Sequence, residues 1–230
     1  MQHNGLEYVG IGIYTLAEAA RLTGVSPQRI RRWLLGYRYK NEHGIHTQPA
    51  LFAGQIAAFD RKVELGFRDL IEVRIVNALV QAGLGLPTIR RAMDRARDMI
   101  GTDHPFSTVW FRTDGRAVFL ELPNIEGEPV VVDILRNQYT LRRIVEPSFK
   151  NLEFAGDHVA RWWPLTPRRT VVIDPLRSFG QPVAAGSGVP TLALAQAARI
   201  EESSRKVAAI FRVSPQEVND AVEFEKSLAA

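Results

Sequence analysis

The chain of 230 residues contains no cysteine. That absence excludes disulfides, thiolate metal sites and cysteine nucleophiles together, and it suits a reducing, cytoplasmic setting. No apolar run is long enough to cross a bilayer. The opening MQHNGLEYVG has neither the basic start nor the apolar stretch of a signal peptide. Phosphate-cradling loops are missing as well. The glycines of FGQPVAAGSGVP (179–190) invite that reading, but no G-K-[ST] follows them and no G-x-G-x-x-G occurs, so they read as a structured connector. His43 and His46 lie in a polar, turn-rich stretch with no third ligand nearby, and His104 and His158 stand alone, so no metal or cofactor is expected. With no triad, metal set or nucleotide loop, a non-enzyme is expected.

What remains is an ordinary globular composition, 46% hydrophobic and 23% charged, whose charge is unevenly spread although the net is only +4. Between residues 15 and 40, six basic side chains (Arg21, Arg29, Arg31, Arg32, Arg38, Lys40) face a single acid, Glu18. Between 214 and 230 the balance reverses, with Glu217, Asp220, Glu223 and Glu225 against Lys226. The front end therefore suits an anionic partner.

The same small device occurs in both regions, as GVSPQRIRRW (24–33) and RVSPQEVNDA (212–221). In the first, Thr15 and Glu18 spell a capping box and Gly24 ends the helix it starts. Ser26 then caps a second helix with Pro27 at its first position, and Gly36 closes it. Two short helices across a glycine-containing turn make a helix-turn-helix, with Ala20 small at the close approach and Ile30 packing back across the turn. Trp33 and Leu34 share the face of Ile30. Gln28, Arg29 and Arg32 are left for a ligand, with Arg31 at the edge. Arginine pairs with guanine and glutamine with adenine, so this helix suits a major groove. In GYRYKNEHGIHTQPALF (36–52), Arg38, Tyr39 and Lys40 could act as a wing against the phosphate backbone.

YTLAEAARLTGVSPQRIRRW, followed by LGFRDLIEVRIVNALVQAGLGLPTIRRAMDRARDMI (65–100), resembles the MerR-like winged helix-turn-helix family. The resemblance implies a phosphate-gripping Arg-Tyr pair at Arg31 and Arg32. Arg31 carries over; Arg32 replaces the tyrosine. The family's long dimerisation coiled coil and its metal-sensing cysteines are absent. Ile89, Ala92, Met93, Ala96 and Ile100 form one helical face, and Arg90, Arg91, Arg95 and Arg97 lie largely off it, more suited to supporting the fold than to touching DNA.

From Phe106 the pattern reads as β. STVWFRTDGRAVFLEL (107–122) alternates across an Asp114-Gly115 turn, a hairpin signal, and EPVVVDIL and YTLRRIVEP suggest further strands divided by RNQ. A spacer, dimer surface or ligand platform is expected there.

In the last third, Ala208, Arg212 and Val218 repeat the spacing of Ala20, Gly24 and Ile30, and Ser214 with Pro215 again starts a helix. Its acids, Glu217, Asp220 and Glu223, would repel phosphates in a groove, so this copy suits a basic protein surface. The stretch carries Ile173-Asp174-Pro175, Phe179-Gly180-Gln181-Pro182, Gly186 to Pro190, Glu202-Ser203 and Val213 through Phe224. These motifs resemble the small domain of VapB-type antitoxins, although the arginine usual in the glycine–proline turn is absent. The resemblance implies a toxin–antitoxin system whose toxin is a PIN-like ribonuclease.

The expected fold is α+β: a winged helix-turn-helix at 1–100, a middle antiparallel β segment at 101–166, and a small helix-turn-helix-like helical domain at 167–230. The expected function is a dimeric antitoxin that neutralises its toxin and binds operator DNA to repress its own operon. The competing expectation is a stand-alone MerR-like regulator whose middle segment binds a small effector.

Overall fold

The computed structural model of the chain describes residues 10–57, 62–120, 134 and 140–229. These fall into two compact units that interleave in sequence, one of residues 15–150 and 156–159, the other of 1–14, 151–155 and 160–230.

The first unit opens with helix α1 (Leu16–Thr23) and helix α2 (Pro27–Leu35). Thr15 and Glu18 satisfy each other's backbone N–H groups, which anchors the start of α1. At its end Gly24 takes φ +70°, and its N–H returns to Ala20 O at 2.9 Å. Ser26 and Pro27 start α2 as the sequence dictates. Ile30, Trp33 and Leu34 form the buried face of α2, and Ile30 has no exposed surface at all. Truncating such a side chain to alanine costs about 2–5 kcal/mol.

After Gly36 the chain forms an antiparallel hairpin, Tyr37–Asn41 with Gly44–Gln48, in the register Tyr37↔Gln48, Arg38↔Thr47, Tyr39↔His46 and Lys40↔Ile45. Helix α3 (Phe67–Gln81) is buried on most of its circumference and accordingly central, with Leu70, Ile71, Val73, Ile75, Val76 and Leu79 buried together with Asp69 and Glu72. Helix α4 (Leu86–Ile100) is amphipathic, burying Ile89, Ala92, Met93 and Ala96.

The strands expected of STVWFRTDGRAVFLEL and YTLRRIVEP are not realised in the described part. Residues 107–120 contain two short helices, α5 (Val109–Asp114) and α6 (Arg116–Leu120), and TLRRIVEP (140–147) lies in helix α7 (Thr140–Phe149). The physical reason is spacing. Phe111, Gly115, Val118 and Phe119 are buried at intervals of 4, 7 and 8, and Leu141, Val145, Ser148 and Phe149 repeat those intervals. Thr108 caps the first helix through its bond from Phe111 N–H at 3.1 Å. Gly115 sits at φ −54°, so the Asp-Gly pair makes no hairpin turn of the kind that needs positive φ. EPVVVDIL and RNQ lie outside the described residues, save Ile134. The strands in this part are Leu152–Ala155 and His158–Trp162.

In the second unit a short ladder joins Val171–Val172 to Val183–Ala184. Three helices follow, α8 (Thr191–Glu201), α9 (Ser204–Phe211) and α10 (Pro215–Ser227). Their core is Ala184, Leu194, Val207, Ala208, Val218 and Ala221. Ser214 and Glu217 form a reciprocal capping box at the start of α10. Where the first unit turns on Gly24, this one turns on Arg212 at φ +56°, a conformation that costs a residue with a side chain about 1 kcal/mol. Tyr14 is buried here and donates to Gly180 O at 2.8 Å.

Candidate nucleic-acid interface

Helix α2 separates its side chains cleanly. While Ile30, Trp33 and Leu34 face inward, Gln28, Arg29, Arg31 and Arg32 are all exposed. The hairpin that follows adds Arg38, Tyr39 and Lys40, also exposed. The seven residues expected to meet DNA are therefore all solvent-facing on two consecutive elements of one unit.

Opposed residues of a ladder share a face, so the register gives the hairpin two different sides. Tyr37, Tyr39, His46 and Gln48 form one. Arg38, Lys40, Ile45 and Thr47 form the other, where Ile45 stands 75% exposed among cations. On the aromatic side the Tyr39 and His46 rings stack with centroids 5.3 Å apart, and His46 Nε2 lies 2.9 Å from Asn41 Oδ1. His46 is thus built into the hairpin, whereas His43 is exposed.

Arg32 also makes a contact within its own unit. Its guanidinium lies over the ring of Tyr37, 5.1 Å from the centroid, so it ties helix α2 to the hairpin across the Gly36 turn. Tyr37 is the residue that sequence reading missed; its signal was an aromatic five residues after an arginine, across a glycine.

The same unit holds a buried ionic cluster, also unforeseen. His104 Nε2 is 2.6 Å from Asp69 Oδ1, so this histidine is not the isolated one that the sequence suggested. Asp69 also accepts from the N–H groups of Gly66 at 2.8 Å and Gln55 at 2.9 Å. Glu72, one turn along α3, accepts from Ser107 N–H at 2.8 Å, and its other oxygen has no hydrogen-bond partner among the described residues. Burial pushes the Glu72 carboxyl up to about 7, although His104 opposes it. Burial works to lower His104, but the bond to Asp69 and the charges of Glu72 and Asp69 outweigh it, so its pKa is raised. The available clue was Asp69, an acid three residues after Gly66 at the start of a helix.

The acids expected to meet a partner, Glu217, Asp220 and Glu223, lie in the second unit and do not form a free strip. Asp220 is buried, accepting from Gln216 Nε2 at 2.9 Å and pairing with Arg168 at 3.0 Å. Arg168 also bonds Glu223. Glu217 caps α10 and accepts from Ser187 N–H at 3.0 Å. Arg168, just before the Val171–Val172 strand, thus supplies a cation to Asp220 and Glu223 from within the chain.

Among the described residues no group of three His, Cys, Asp or Glu side chains could hold a metal ion, and no helix is long and apolar enough to cross a membrane.

Comparison with known proteins gives three findings. Residues 12–93 match the family described as "Putative DNA-binding HTH domain". The chain is 29% identical over 225 residues to the "Putative antitoxin VapB45" of Mycobacterium tuberculosis (strain ATCC 25618 / H37Rv), a match covering 93% of each. The crystal structure of Rv2018 from Mycobacterium tuberculosis has a like fold, with TM-score 0.65 at 23% identity over 94% of this chain and 99% of that one.

Proposed function

We propose that the chain is the antitoxin of a type II toxin–antitoxin pair, and that it binds operator DNA through α2 and the 37–48 hairpin to repress its own operon. The observation that carries the DNA reading is the exposure of Gln28, Arg29, Arg31 and Arg32 on the outer face of a capped, well-buried helix, with a basic hairpin directly after it. The hairpin has the place and charge of a wing, in the manner of MerR-like proteins. Similarity along nearly the whole chain to a protein named as an antitoxin supports the partner half of the reading.

In this reading α2 enters the major groove. Gln28 and Arg29, in its first turn, reach base edges, while Arg31 and the hairpin cations Arg38 and Lys40 neutralise phosphates. A homodimer would present two such heads to paired half-sites. The toxin is a PIN-like ribonuclease, held by the second unit; because Glu217, Asp220 and Glu223 have internal partners, its docking surface lies elsewhere on that unit.

Two measurements on the intact chain test the proposal. Mobility shift on the DNA upstream of its own gene should give a discrete, salt-sensitive complex. Co-expression with the product of the adjacent gene should yield a co-purifying pair whose ribonuclease activity returns when the chain is removed. A chain that shifts unrelated and upstream duplexes equally, and leaves a neighbouring ribonuclease active, would refute it.

A further inference from the structure

Two arginines of helix α4 turn inward onto backbone. Arg90 bonds the carbonyl of Ala50 through Nη1 and that of Pro49, at 3.0 Å, through Nη2. Arg97 bonds the carbonyl of Leu51 through Nη2 at 3.0 Å, while its Nη1 meets Asp94 at 2.6 Å. Three consecutive carbonyls, directly after the hairpin's second strand ends at Gln48, thus accept from two guanidiniums of one helix. From the other side, Leu51 N–H donates to Trp33 O of α2 at 2.6 Å. Gly36 closes the clamp. A Cβ placed there would lie 2.3 Å from Gln48 O and 2.8 Å from the Pro49 carbonyl carbon, so the two ends of the hairpin pass one another at backbone contact.

We propose that Arg90 and Arg97 are positioning residues for DNA binding: they fix the angle at which the 37–48 hairpin leaves the helix-turn-helix, and so where Arg38 and Lys40 meet phosphate. The inference rests on the DNA-binding reading above and adds a role to residues outside the binding surface. A guanidinium is a planar fork with fixed donor directions, so it can hold two neighbouring carbonyls at a set angle; a lysine ammonium carries the same charge without that fork. Asp94 offsets the charge of Arg97, and the Arg90 fork is taken up by two carbonyls. Geometry is therefore their contribution, and charge alone will not replace it.

The test keeps the charge and removes the fork, with Arg90→Lys and Arg97→Lys together in the full chain. In the free protein, amide exchange across 37–48 should quicken by about tenfold or more while α1 and α2 keep their protection. On a duplex from upstream of the protein's own gene, the plot of log affinity against log salt should become shallower by about two units, the contribution of two phosphate contacts. Hydroxyl-radical protection should vanish at the flanks and persist at the centre. Adding Arg38→Ala and Lys40→Ala should then cost nothing further, because those cations are already misplaced. Full additivity with unchanged exchange overturns the inference. If the wild-type chain ignores the duplex, the DNA reading fails, and the exchange result still decides whether the arginines hold the hairpin. Should the double variant not fold, Arg90→Lys alone, which retains the Arg97 bond, is read by the same exchange experiment, and unchanged exchange there counts against the proposal.

Discussion

His104 Nε2 lies 2.6 Å from Asp69 Oδ1, in a buried cluster with Glu72, whose carboxyl is raised to about 7 by burial. Both raised groups bind protons more tightly folded than unfolded. Stability linked to Glu72 is therefore full below about pH 4.5 and is lost progressively as pH rises to about 7. Glu72→Gln keeps an oxygen for Ser107 N–H and removes the charge. The variant should exceed wild type by about 1–3 kcal/mol at pH 8 and converge with it below about pH 4.5. Thermal unfolding across pH checks this, and parallel curves would show that the carboxyl costs nothing.

For the DNA surface, Gln28→Ala or Arg29→Ala should relax base preference, each by about 1–3 kcal/mol at one position of the site. Arg31→Ala should weaken all sequences alike and reduce the salt slope by about one unit. Titrations of matched and mismatched duplexes separate the two patterns. Equal binding by all three variants would remove α2 from the interface.

Gly36 has φ +71° and no room for a Cβ. Gly36→Ala should destabilise the first unit by about 1–3 kcal/mol and weaken DNA binding more than that loss alone explains, because the hairpin base must shift. Comparing affinity at a temperature where the variant is fully folded isolates the second effect; wild-type affinity there would show that hairpin placement is unimportant.

In the second unit, Asp220→Lys buries a cation where Arg168 already stands and should cost about 3–5 kcal/mol. Reversing Glu217, Asp220 and Glu223 together should unfold the unit. Circular dichroism with tryptophan fluorescence reads this directly, since Trp162 is buried in the same unit. A folded triple variant would return these acids to the surface as candidates for partner contact.

How much was legible depended on distance along the chain. The caps at Thr15, Ser26 and Ser214 act within four residues, so the sequence states them outright. The exposed side of α2 followed from its helical period. In 107–120 the same apolar residues fit a strand of alternating faces or a helix with Phe111, Gly115, Val118 and Phe119 inward, and burial by the rest of the unit chooses the helix. Contacts such as Asp69–His104 and Arg168–Asp220 join residues 35 and 52 positions apart, and no local pattern announces them. For that reason the exposed face of α2 could be named beforehand, while the hold of Arg168 on Asp220 and Glu223 could not.

Tyr14 reaches Gly180 across 166 residues of chain. On a ribosome, which releases the N-terminus first, that bond cannot close until nearly four-fifths of the protein has been made. Residues 15–150 contain most of their unit and can begin folding in the meantime. The second unit, which takes the segment ending at Tyr14 from the beginning and its helices from the end, matures last. During synthesis, then, the part proposed to read DNA has a head start over the part proposed to hold a toxin, and a chain cut short between residues 160 and 180 would possess the former without the latter.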